Sequence, residues 1–226
     1  MGGAFVAVAD DPTALHFNPA GIALIPGSVV LAGAEYVYAP RTYTPMSAQC
    51  DADPEFAACQ PQSATVQQPV PVVGWVSRLD DDGVPSRLAF GVGAWATFGG
   101  RVEYDRFVDD QGRPLDDIPA INRSSNFTIE VVPGVAYEVN DVLALGFAFR
   151  LGIGVFDADT TARPSDAVLS ASGIGVAATA GAMVKLSRSF RIGVAYRTPL
   201  TNKLTGDGTV DTGREIAVDV KVDQQW

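Results

Sequence analysis

The feature that most restricts what this chain can become is a period of two running through almost everything after Gly27. From Val142 to Val155, the residues Leu143, Leu145, Phe147, Phe149, Leu151, Ile153 and Val155 alternate with Ala144, Gly146, Ala148, Arg150, Gly152 and Gly154. Successive side chains of a strand point to opposite faces, so one face is continuously apolar and the other is small. The pattern recurs in Leu88, Phe90 and Val92 against Arg87, Ala89, Gly91 and Gly93. It recurs again in Ile174 to Leu186, and in Phe190, Ile192, Val194 and Tyr196 against Arg191, Gly193, Ala195 and Arg197. Weaker alternations cover Ser28 to Tyr38, Val70 to Leu79, Asn126 to Glu138 and Glu215 to Val222, giving about eight strands.

An apolar face alone does not distinguish lipid from a sandwich core, but the opposite face does. On a soluble sheet it would be rich in Thr, Lys and Glu; here it is Gly and Ala with isolated charges. Arg87, Glu130, Arg150, Lys185, Arg191 and Arg197 all share that face. A basic side chain facing mid-membrane lipid costs roughly 2–4 kcal/mol, so the small face should line an interior. Tyr36, Tyr38, Trp75, Tyr137 and Tyr196 lie near strand ends, where interfacial girdles sit. Short turns (80–86, 139–141, 187–189) alternate with long polar connections (39–68, 101–125, 157–167), as in an up-and-down outer-membrane barrel. The best candidate for a membrane-spanning helix, Ile174 to Val184, falls short of the roughly 20 residues required. Charged residues make up only 19%, and the net charge of −10 argues against a nucleic-acid partner.

Residues 1–27 break the pattern and are expected to form a separate plug, with the barrel occupying 28–226. Asp11-Pro12 is a helix-start signature, and Asn18-Pro19 repeats it for a second turn, Ala20 to Leu24, ended by Pro26-Gly27. Turns this short need a surrounding structure to hold them. Cys50 and Cys59 are expected to form a loop disulfide, or else remain free thiols. With one histidine, His16, there is no basis for a Cys/His metal site or a Ser/His catalytic arrangement, so the reading is a non-enzyme without metal or cofactor. His16 reads as packed beside Leu15 and Phe17, with a proton-sensitive latch as the alternative.

Gly2 to Ala14 leading into Phe17-Asn18-Pro19-Ala20-Gly21 resembles the N-terminal hatch of the outer-membrane long-chain fatty acid transporters, a family that includes aromatic-hydrocarbon uptake channels. Arg191 to Pro199 followed by Lys203 to Asp207 is similar to a later strand and loop of that family, and Pro133 to Asp141 to one of its hairpins. The resemblance implies a 14-stranded barrel plugged by the hatch, which takes up hydrophobic molecules passively and releases them sideways through the wall. With no visible signal peptide and about eight strands, the chain is expected to be the N-terminal half of a longer protein. A complete eight-stranded barrel ending on Trp226 is the competing reading.

Hatch and gating roles then fall to Asn18, Pro19, Ala20 and Gly21. Arg150, Arg191, Arg197 and Glu130 are candidates for contact with a ligand carboxylate or for pairing with the hatch. Gly91, Gly93, Gly99 and Gly100 are candidates for a strand kink that opens a lateral exit. The expected partners are a fatty acid or aromatic hydrocarbon and outer-membrane lipid, with the full-length protein a monomer. The alternatives are a structural or assembly barrel that transports no small molecule, and a soluble β-sandwich module.

Overall fold

A computed structural model describes residues 5–44, 59–78, 86–104, 120–162, 165–187, 190–211 and 215–225. Strands β1 (Ser28–Tyr43), β2 (Gln62–Arg78), β3 (Leu88–Glu103), β4 (Ala120–Glu138), β5 (Leu143–Ala162) and β6 (Ser165–Lys185) form consecutive antiparallel hairpins. Strands β7 (Arg191–Arg197) and β8 (Thr201–Asp211) both pair with β6, along Thr179–Lys185 and Asp166–Ile174 respectively. They are two lengths of one course, interrupted at Thr198-Pro199-Leu200. β9 (Glu215–Gln225) pairs with β8. The result is an antiparallel sheet in up-and-down order, unclosed, with β1 and β9 at its edges.

The strands are longer than their apolar runs. Residues 39–43 and 62–68, expected as loop, continue the β1–β2 ladder; likewise 101–103 pairs with 123–125 and 157–162 with 165–170. Polarity misleads here because a ladder needs only backbone partners. Beyond the lipid band both faces meet water, and the alternation that marks a strand fades.

The two faces divide as expected. Val30, Val73, Leu145, Phe147, Ile153, Ile174 and Val194 are exposed on the outer face. Ala89, Val132, Ala136, Ala144, Ala148 and Met183 are buried inside, with Glu130 and Arg150. The larger apolar core therefore lies between the N-terminal segment and the wall, with Ala14, Leu15, Ala20, Ile22 and Ile25 packed against this inner face, and a smaller one joins Ala171, Leu204 and Val220.

The plug comprises α1 (Phe5–Val8), α2 (Ala14–Phe17) and a 3-10 helix (Pro19–Leu24). Asp11 Oδ1 accepts from the Thr13 amide (2.7 Å) and hydroxyl (2.6 Å), fixing the entry to α2, which starts one residue after Thr13. The small inner face now has a reason: the plug backbone lies directly on it. A Cβ at Gly146 would collide with Pro19 and Ala20, and one at Gly181 with the Asn18 side chain. At the short-turn end, Arg78 donates to Ala23 O (2.8 Å) and pairs with Glu138 (2.9 Å), which Lys185 also reaches (2.9 Å).

Candidate functional site

Asn18 is wholly buried and uses its side chain in three directions. Its Oδ1 accepts from the Ala20 amide (3.2 Å), which caps the 3-10 helix. Its Nδ2 donates to Val6 O (2.8 Å) inside the plug and to Ala182 O (3.2 Å) on the wall. Pro19 starts the turn with its φ preset. Gly21 leaves room for Ala9, whose backbone takes a positive φ of 39° and presses on it. One amide thus joins two plug segments to β6.

Above the plug lies a cavity of about 790 Å³. Thr13 with His16 and Phe17 of α2 form its floor. β2 contributes Val70, Pro71 and Val72, and β3 contributes Trp95, Ala96 and Thr97. Glu130, Arg150, Arg197, Thr198 and Pro199 close the far side, and Glu35 of β1 lies at its edge. Trp95 is buried at the inner parity, its ring folded back over Gly93, and it meets the His16 ring edge-on at 5.3 Å.

The β2–β3 ladder ends beside this cavity. β2 pairs with β3 only from Val72↔Trp95 to Arg78↔Ala89. Past that point β2 continues on β1 alone and β3 on β4 alone. Pro69 and Pro71 stand at alternate positions, so both missing N–H donors lie on the same side of β2. The ladder that stops is the one with β3. β3 then bulges between Ala96 and Phe98.

The charges inside are arranged unequally. Arg150 is spent: Nε and Nη2 bind the two Glu130 oxygens (2.7 and 2.8 Å), and Nη1 binds Thr198 O (3.0 Å), a carbonyl at the β7–β8 interruption. Arg197 has only a 4.0 Å approach to Glu130, and its Nη1 and Nη2 face His16 Nε2 and Nδ1 at 2.8 and 3.4 Å. Burial, and after it the positive charge of Arg197, lower the His16 pKa to about 4, so the ring is neutral and can accept a hydrogen bond. Arg191 opens β7 next to the short turn and does not line this cavity.

The glycines divide by location. Gly91 and Gly93 sit below the end of the β2–β3 ladder, where Gly91 admits the β2 backbone at Trp75 and Gly93 the Trp95 ring. Gly99 lies just past the bulge against Phe127, and a Cβ at Gly100 would meet open space. Cys59 is disulfide-bonded; Cys50 lies outside the described residues. Further up the barrel, Asn202 donates to Thr128 and Gln224 (3.2 and 3.3 Å), and Gln224 donates to Asn126, forming a buried neutral layer. Trp95 and Arg78 were not singled out from sequence. A lone Trp at inner parity between Gly93 and Thr97 was the available signal for the first; nothing in the strand pattern distinguished the second.

The sequence matches the outer membrane protein transport protein family (OMPP1/FadL/TodX) over residues 1–220. The chain belongs to this family. No curated protein sequence matches it. Among solved structures it is similar to a Pseudomonas aeruginosa FadL homologue, at 16% identity and a TM-score of 0.64, covering 96% of this chain and 58% of that one. It is also similar to the Pseudomonas putida toluene transporter TodX, at 14% identity and a TM-score of 0.57, covering 94% and 57%. A TodX mutant, described as a monoaromatic hydrocarbon channel, aligns with a TM-score of 0.62 at 14% identity, covering 94% and 57%. The chain therefore spans just over half the length of these relatives, and it is an outer-membrane β-barrel sector carrying their fold.

Proposed function

We propose that the protein takes up hydrophobic small molecules, fatty acids or aromatic hydrocarbons, across the outer membrane by passive diffusion. Residues 1–27 act as the hatch, on which Asn18, Pro19, Ala20 and Gly21 set the seat, and residues 28–226 supply barrel wall. Substrate occupies the cavity above α2 and leaves sideways between β2 and β3. The observation that carries this reading is the position of the opening: the β2–β3 ladder ends at Val72↔Trp95, and both residues line the cavity. An apolar molecule there passes from Phe17, Val70 and Trp95 toward lipid without crossing a hydrogen-bonded wall. No bond is made or broken, so the protein is read as a non-enzyme driven by the substrate gradient, and as a monomer when full length.

Replacing Ala96 with Trp in the full-length protein would fill the opening from β3. Uptake of a labelled fatty acid by cells should fall at least several-fold, while binding by the purified barrel persists. Unchanged uptake would remove the lateral route.

A further inference from the structure

The course of chain that runs along β6 leaves the wall at Thr198-Pro199-Leu200. β7 pairs with β6 as far as Arg197↔Thr179, and β8 takes over at Lys203↔Ile174. Between them Thr198 stands in for a ladder partner. Its amide donates to Ala178 O (3.0 Å), and its hydroxyl accepts from the Ala178 amide (2.9 Å). Its carbonyl accepts from Arg150 Nη1 (3.0 Å), so an interior charge also fixes the departure. Leu200 is wholly buried, in space that glycines leave. A Cβ at Gly152 would meet the Leu200 methyl groups, and one at Gly175, which faces Gly152 across the ladder, would meet Thr201 O.

Thr198 and Pro199 line the cavity on the side away from Val72 and Trp95, where the β2–β3 ladder ends. Past the step comes the buried neutral layer. Asn202 donates to Thr128 Oγ1 (3.2 Å), and Thr128 donates to Gln224 Oε1 (3.0 Å). Asn202 Oδ1 is buried there without a partner. An alkyl chain driven past the step would have to part these bonds and could replace none of them. The groups left unpaired would cost more than burying another methylene returns.

We infer that the Thr198–Leu200 step is a stop that sets the longest apolar chain the cavity accepts. Thr198 and Pro199 form its face and Leu200 its backing, while Arg150 is a positioning residue that acts through the Thr198 carbonyl. A chain short enough to lie between the ladder end and the step is buried along its whole length. A longer one leaves its excess outside. This inference rests on the channel reading above and adds to it selection by chain length, independent of the head group.

The test uses straight-chain primary alcohols from octanol to octadecanol, in which head chemistry is constant. Radiolabelled alcohols are dialysed to equilibrium against detergent micelles with and without the purified full-length barrel, and affinities are referred to the free aqueous alcohol. Affinity should rise about fourfold per methylene and then stop rising at a definite length. Leu200→Ala should move that break to longer chains. Pro199→Phe, which enlarges the face of the stop, should move it to shorter ones, and octanol should bind both variants as it binds the wild type. Heat-modifiable gel mobility establishes assembly, and because the two variants act in opposite directions, either one alone decides the matter. A wild type without a break, or an assembled variant whose break stays at the wild-type length, would overturn the stop. So would affinity lost equally at every length, which would make Leu200 a packing residue only. Binding of no alcohol by the wild type would instead overturn the channel reading.

Discussion

At the scale of single residues, the interior is governed by how each buried polar group finds a partner. Glu130 faces both arginines, so Glu130→Gln leaves two cations in a nearly dry site; a loss of about 3–5 kcal/mol is expected. It should appear as a lower melting temperature of the purified barrel in detergent, and an unchanged melt would mean that water already solvates the pair. Asn18→Ala removes three hydrogen bonds and should weaken plug seating by about 2–4 kcal/mol. Protease accessibility of the N-terminal segment measures this. His16 brings pH dependence of definite sign. Its folded pKa, about 4, lies below the ordinary 6.5, so the seated plug favours the neutral ring. This stability is fully present above about pH 6.5 and is lost as pH falls toward 4. Arg197, Glu130 and Arg150 are the charged groups that surround the ring. Plug protection should therefore decline on acidification, and His16→Gln should flatten that decline. The inward placement of Arg150 and Glu130 was legible from strand parity, but their mutual pairing was not, because parity gives a face and not the register that sets Glu130 opposite Gly152, one inward position from Arg150 on the adjacent strand.

At the scale of elements, the alternation made β3 to β7 readable, and the two X-Pro starts made the plug turns readable. The arms of the hairpins were not, since polar residues such as Gln62 to Gln68 carry no period once both faces are wet. The interruption at Thr198-Pro199-Leu200 had a signal in Pro199, but its inward packing, with Leu200 and Asn202 fully buried, depends on contacts with β5 and β6 that no local pattern encodes. Gly91, Gly93, Gly99 and Gly100 were the expected place for a strand kink; the β2–β3 ladder ends where Pro69 and Pro71 follow on β2. Restoring the donors with Pro69→Thr and Pro71→Val should extend the β2–β3 ladder past Val72. Amide exchange at Ala96 and Thr97 should slow, and uptake should fall. Unaltered exchange would assign the opening to the β3 bulge alone.

At the scale of the whole molecule, a wall with a greasy outside and a small inside encloses a folded N-terminal segment, and the space left above that segment is the cavity. Plug, cavity and opening are contiguous because α2 floors the cavity and the ladder ends at its side. That contiguity is the central claim. It is tested by photo-crosslinking a fatty acid with a diazirine at the end of its tail to the full-length barrel, followed by mass mapping. Crosslinks are expected in Thr13–Phe17, Val70–Val72 and Trp95–Thr97, competed away by unlabelled fatty acid. Crosslinks confined to the long hairpin arms or to the outer face, with none in these three segments, would contradict it.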